Sequence, residues 1–140
     1  PVERETLFAT ARAANKNLVV LAGDTHNAWA NDLEDIGGNA VGVEFATASV
    51  TSPGLEAVLG ISPGEFAIGA ELVLETLIDK LRYTNVVDRG YLTVTFTRDA
   101  AVADWTYLDN ILSTAYTQQP LRAKRLQVRP GPSGRKLEDL

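Results

Sequence analysis

Asn17-Leu-Val-Val-Leu-Ala-Gly-Asp-Thr-His-Asn-Ala-Trp29 is the stretch whose reading decides the fold. Five apolar residues in a row, Leu18 to Ala22, sit between Lys16-Asn17 and Gly23-Asp24, which suits a strand covered on both faces inside an α/β sheet. Such sheets gather ligands at the carboxyl ends of their strands, and Gly23, Asp24 and His26, the chain's single histidine, fall there. If residues 24–26 are extended, side chains two apart project to the same side, so the carboxylate and the imidazole face one cavity. That pair of donors suits iron, zinc or manganese, and the carboxylate also suits calcium. Gly23 lets the backbone approach an ion or a phosphate. The plainer reading stands beside it: Gly-Asp after a strand is a common turn, Asp24 caps the next segment, and a lone histidine is a packed or surface residue.

Outward from that stretch, the alanine-rich, acid-first residues 3–15 carry Leu7, Ala11 and Ala14 on one stripe and predict a helix ending at Asn15. On the other side, after a loop closed by Gly37-Gly38-Asn39, the run Ala40 to Ala46 alternates Val41, Val43 and Phe45 against Gly42, Glu44 and Ala46, as a half-buried strand does. Two Ser-Pro pairs and three glycines make residues 51–64 a loop, and Leu72, Leu74, Leu77, Ile78 and Leu81 recur at helical spacing over Glu65 to Leu81. Gly90 to Thr97 and Val102 to Leu108 flank Arg98-Asp99-Ala100-Ala101 as the arms of a hairpin. Gln127 to Arg129 adds an edge strand before Pro130-Gly-Pro-Ser-Gly134, and the end beyond it is expected to be mobile. The fold class is therefore α/β, with a mixed sheet and a C-terminal hairpin.

A length of 140 residues with 45% hydrophobic content is enough for one domain with a core and excludes collagen, coiled coil and wholesale disorder. The longest apolar runs fall far short of the roughly 20 residues a membrane helix needs. Cysteine and methionine are both absent, which removes disulfides, a thiol nucleophile and thiolate metal sites. Without a methionine or an export pattern at its start, the chain reads as a fragment or a processed piece, with further chemistry expected upstream. Charge is uneven: residues 1–120 hold 7 basic and 16 acidic side chains, whereas residues 121–140 hold 6 and 2. The basic tail lacks interleaved aromatics and the whole has a pI near 4.8, so it reads as a solvated edge and not as a nucleic-acid surface.

Other chemistries find less support in the residues. A serine hydrolase could use Ser49 or Ser52 with His26 as base, but Ala48-Ser-Val-Thr-Ser-Pro53 is no Gly-x-Ser-x-Gly elbow. Gly37-Gly-Asn-Ala-Val-Gly42 lacks the spacing of a dinucleotide or phosphate loop. Trp29, Trp105 and the tyrosines read as core or lip residues. A non-catalytic α/β interaction domain, with His26 incidental, is the rival from another class.

Taken together, Leu21-Ala-Gly-Asp-Thr-His-Asn-Ala-Trp29, Gly42-Val-Glu-Phe-Ala-Thr-Ala-Ser-Val-Thr-Ser-Pro-Gly54 and Asp88-Arg-Gly-Tyr-Leu-Thr-Val-Thr-Phe-Thr97 with Ala103-Asp-Trp105 resemble, in order and spacing, the C-terminal part of PhoD-type alkaline phosphatases. Gly-Asp-x-His is weak by itself, and the combination is far more specific. The resemblance covers residues 15–117 and implies part of a calcineurin-like metallophosphatase: two sheets packed between helices, with iron and calcium, or other divalent metals, where the sheet ends meet. It implies hydrolysis of phosphate mono- or diesters by a metal-activated water, and Asp24 and His26 as metal ligands. The remaining ligands would lie on the N-terminal part of the same enzyme, so the fragment alone is expected to be inactive. Residues 1–120 would be the C-terminal part of that domain, and the enzyme would be periplasmic or secreted. The Ser-Val-Thr-Ser-Pro loop and Arg89-Gly-Tyr91 receive structural roles. A sheet taken from a larger sandwich leaves apolar area and unpaired edges, so an exposed apolar face, or homo-oligomerisation through it, is expected.

Overall fold

Glu3 and Glu5 open helix α1 (Val2–Ala13) and Arg12 closes it, the charge order that the helix dipole favours. The computed structural model describes residues 2–140. Helix α1 stops where Asn15 turns left-handed, φ 53°. Its buried contact is Phe8; Ala11 is half-buried, while Leu7 and Ala14 of the expected stripe are exposed.

Strand β1 (Leu18–Ala22) forms as expected, but at the edge of its sheet. The order is β1-β3-β2-β4, with β2 at Ala28–Glu34, β3 at Ala40–Ala46 and β4 at Leu81–Asn85. Strand β3 runs parallel to β1 and antiparallel to β2, and β4 pairs antiparallel with β2. The β1–β3 contact is close at Gly42, where an added Cβ would stand 1.8 Å from the Leu18 carbonyl oxygen. Strand β1 is only half-buried, not covered on both faces: Val19 packs against the core, whereas Leu21 is 57% exposed.

Three strands lie where the sequence predicts none: β2, β4 and the two-residue β8 (Glu138–Asp139), in the end expected to be mobile. In β2 the core-facing residues are Ala28, Ala30 and Asp32, too small or too polar to register as apolar alternation. Strand β4 is masked by the helical spacing that runs on to Leu81. Helix α3 (Glu65–Leu77) in fact stops at Leu77, Ile78 is extended, Lys80 is left-handed (φ 69°), and Leu81 opens β4. Within 51–64 a short helix, α2 (Leu55–Leu59), forms.

The hairpin is as expected: β5 (Arg89–Phe96) and β6 (Ala101–Leu108) pair antiparallel in unbroken register. The second sheet runs β5-β6-β7-β8, with β7 at Lys124–Val128 and β8 at Glu138–Asp139. Strand β7 is thus internal, and β8 takes the edge expected of β7. A 3₁₀ turn at Pro132–Gly134 links the two, and the Leu137 amide donates to the buried Asp32 carboxylate at 2.8 Å. Desolvation pushes the Asp32 carboxyl above its ordinary range, against the hydrogen bond from Leu137.

The two sheets pack face to face around Val43, Phe45, Ala103, Trp105, Tyr107 and Leu126. Phe45 meets Trp105 edge-on at 5.7 Å, the indole N–H donates to the Ala46 carbonyl at 3.0 Å, and the hydroxyls of Tyr83 and Tyr107 lie 2.6 Å apart. Burial pushes both phenols well above their ordinary pKa. Both sheets end on one flank in strands with one free edge, β1 and β5, and Leu21 and Phe96 are exposed there. Helix α3 leaves Phe66, Leu72, Val73 and Leu77 in solvent as well.

Candidate metal-binding loop

Residues Gly23–Asn27 join the end of β1 to the start of β2, and their neighbours hold them from three sides. The Thr47 amide continues the ladder by donating to the Ala22 carbonyl at 3.0 Å, and the Ser49 amide donates to the His26 carbonyl at 3.2 Å. The loop is not extended. Asp24 (φ 73°) and His26 (φ 62°) are both left-handed, and the Thr25 amide closes a tight turn on the Gly23 carbonyl at 2.9 Å. Aspartate and histidine tolerate this region better than branched residues, but two such residues two positions apart is an uncommon and strained arrangement. Strand alternation therefore does not aim the two side chains into one cavity, contrary to expectation.

Asp24 is exposed, at the mouth of the sheet, and His26 is half-buried. Nδ1 of His26 lies 2.7 Å from the Pro53 carbonyl oxygen. A carbonyl only accepts, so Nδ1 carries the proton in this contact. Behind His26, Asn27 is fully buried; its side-chain oxygen accepts from the Leu55 amide at 2.8 Å and its nitrogen donates to the Val86 carbonyl at 2.8 Å.

The segment that carries Pro53 is itself braced. Ser49 Oγ accepts from the amides of Thr51 and Ser52, at 3.1 and 2.6 Å, which occupies the hydroxyl in a local turn. No side-chain hydrogen bond joins His26 to Ser49 or Ser52 among the described residues, so no base faces either hydroxyl. The Gly54 amide donates to Glu56, whose carboxylate pairs with Arg89. Burial pushes the Glu56 carboxyl up, but these hydrogen bonds hold it below its usual value. The Gly90 amide donates to the Ser49 carbonyl at 3.0 Å. Three motifs distant in sequence thus meet in one loop cluster: Gly23–Trp29, Ser49–Gly54 and Arg89–Tyr91.

A family model for PhoD-like phosphatases matches residues 1–105. The chain belongs to that family. A solved structure described as "Structure of PhoD" superposes on the whole chain with a TM-score of 0.72 at 21% identity, and the chain spans 25% of that structure's length. That likeness establishes the fold: two packed sheets with flanking helices. None of the curated proteins compared with it matches the chain. The PhoD-like match ends at Trp105, inside β6, and so includes Asp24, His26 and the loops that meet them, while β7 and β8 belong to the structural likeness alone.

Within the described residues no group of three or more acidic or histidine side chains could hold an ion. Asp24 and His26 are two donors against the about four of a zinc site and the roughly six to eight of a calcium site. By donor type alone, a carboxylate and an imidazole with one ring nitrogen left free suit such ions.

A denser charged cluster lies elsewhere, and of its members only Asp88 falls within one of the sequence motifs. Arg122 binds Asp88 at 2.6 Å and Glu71 at 2.8 Å, and Asn85 donates to Asp88 at 2.8 Å. Glu71 also accepts from the Val86 amide at 3.0 Å. Burial pushes the Glu71 carboxyl up although Arg122 opposes it. Every charge there has a partner inside the protein.

Proposed function

We propose that this chain is the C-terminal portion of a metal-dependent phosphatase that hydrolyses phosphate mono- or diesters, with Asp24 and His26 as two of its metal ligands. The observation that carries the reading is the PhoD-like family match over residues 1–105, which contains the strand-end loop bearing both residues. Iron and calcium, or other divalent metals, would supply Lewis acidity that polarises the phosphoryl oxygens and acidifies water. This chain's part is to hold a carboxylate and an imidazole at the carboxyl end of β1, on a loop braced by Asn27 and Glu56. The remaining donors would come from the N-terminal part of the same polypeptide, in keeping with the 25% of the PhoD chain that this one spans. The free edges of β1 and β5 and the apolar surface of α3 would be covered by that part, or by a second copy where the chain stands alone. Residues 1–120 would be the C-terminal part of the catalytic domain. No helix of the described residues is long and apolar enough to cross a membrane, and the resemblance argues for a periplasmic or secreted enzyme.

The test is hydrolysis of p-nitrophenyl phosphate and its bis ester by the full-length polypeptide, with and without a chelator. Expected are activity that chelation abolishes, little or none from the 140 residues alone, and loss in His26→Ala. Activity that survives both the chelator and His26→Ala would contradict this function and favour a metal-free or non-catalytic role for the loop.

A further inference from the structure

The Ser49–Gly54 segment lies against the histidine, and its fixed element is a carbonyl. We infer that Asn27 and the Pro53–Leu55 segment form a positioning device that fixes His26 in its Nδ1-protonated form, so that Nε2 is the atom offered to a cation. The device rests on the metal-binding function above for its purpose, but its geometry stands on four contacts.

First, Nδ1 of His26 lies 2.7 Å from the Pro53 carbonyl oxygen, which can only accept. Second, the next residue, Asn27, is 1% exposed and spends both ends of its amide on backbone: Leu55 N–H on one side and the Val86 carbonyl on the other. One side chain therefore ties the loop after β1 to the segment that presents the Pro53 carbonyl. Third, that segment passes so close that a Cβ on Gly54 would stand 2.6 Å from the Asn27 amide nitrogen. Fourth, the Ser49 amide holds the His26 carbonyl at 3.2 Å, so the backbone on both sides of the ring is pinned to the same loop. A free neutral imidazole in water favours the proton on Nε2; a carbonyl fixed beside Nδ1 inverts that preference, and an inverted ring directs its lone pair away from Pro53. Histidine ligands as a class are oriented by a hydrogen bond from their other nitrogen, and loss of such a partner weakens metal binding about 10–100-fold.

Asn27 is thus a positioning residue and touches no cation itself. The test has two readouts. In the metal-free full-length polypeptide, the ring ¹⁵N signals of His26 are identified as the pair that disappears in His26→Ala. At a pH where the ring is neutral, the wild type is expected to show a protonated Nδ1 and a bare Nε2. Asn27→Ala and Gly54→Ala are expected to shift the ring towards the Nε2-protonated form. A wild-type ring already protonated on Nε2 overturns the inference, and that measurement decides even where a variant fails to fold. In the full-length polypeptide, Co²⁺ titration followed by visible absorption is expected to show about 10–100-fold weaker binding in both loop variants. Unchanged binding in both, beside a weakened His26→Ala, overturns the positioning role alone; unchanged binding in His26→Ala overturns the metal-binding function instead.

Discussion

Two groups of ionisable side chains, one around Arg122 and one around His26, are built on opposite plans. Around Arg122, the carboxylates of Glu71 and Asp88 are buried, and each charge is met by a guanidinium, an amide or a backbone N–H. Around His26, one carboxylate stands exposed on a left-handed residue, and the imidazole keeps one nitrogen free of its single internal contact. The first cluster is saturated and joins α3, the turn before β5 and the approach to β7, so its work is structural. The second leaves a ring nitrogen and, among the described residues, the Asp24 carboxylate without side-chain partners near the end of β1, as the proposed cation site would require. Acid count does not separate them; satisfied hydrogen bonds do.

Removing Arg122 breaks the first plan hardest. Arg122→Ala strands two buried carboxylates, and urea unfolding should show a loss of about 3–5 kcal/mol. His26→Ala should cost far less, about 1 kcal/mol for one hydrogen bond, while the proposed hydrolysis by the full-length polypeptide falls at least roughly tenfold. A large loss of stability in His26→Ala with activity retained would reverse the assignment of the two clusters.

A third change sharpens the role of burial. Because the folded state raises the Asp32 pKa by desolvation, the folded protein holds that proton more tightly than the unfolded chain. Asp32 thus favours folding most at low pH, and that contribution is lost as pH rises from the ordinary carboxylate value of 3.8 through the raised one. Asp32→Asn keeps an acceptor for the Leu137 amide and should raise stability at pH 7 by roughly 0.5–1 kcal/mol, a gain that disappears below the ordinary carboxylate value. Unfolding curves at about pH 3 and pH 7 check it. The smallest effect belongs to the exposed loop: Asp24→Gly relieves a left-handed aspartate and should leave the fold unchanged or stabilise it by up to about 1 kcal/mol. The same variant should bind metal less well, as expected where strain is kept for function.

Much of the fold is legible in the sequence because it is periodic or punctuated. Leu18–Ala22, the alternation of Ala40–Ala46 and the β5–β6 hairpin carry strong local signals, and each forms a strand. Strand β2 is hidden because its core side is Ala28, Ala30 and Asp32, and β4 because Leu81 continues the apolar spacing of α3 across a break at Lys80. The α3 stripe itself misleads: Leu72 and Leu77 are exposed, while Ala67 and Glu71 are buried, since Arg122, 51 residues on, neutralises the acid. Asp24 and His26 stand out by their place after an apolar strand. The roles of Asn27 and Pro53 do not, because they depend on contacts between segments about 28 residues apart.

The most direct test is the metal content of the full-length enzyme, measured by elemental analysis beside matched Asp24→Ala, His26→Ala and Arg122→Lys proteins. The account predicts that both loop variants lose bound metal while remaining folded, and that Arg122→Lys, however destabilised, keeps it. Full metal occupancy in Asp24→Ala and His26→Ala would contradict it.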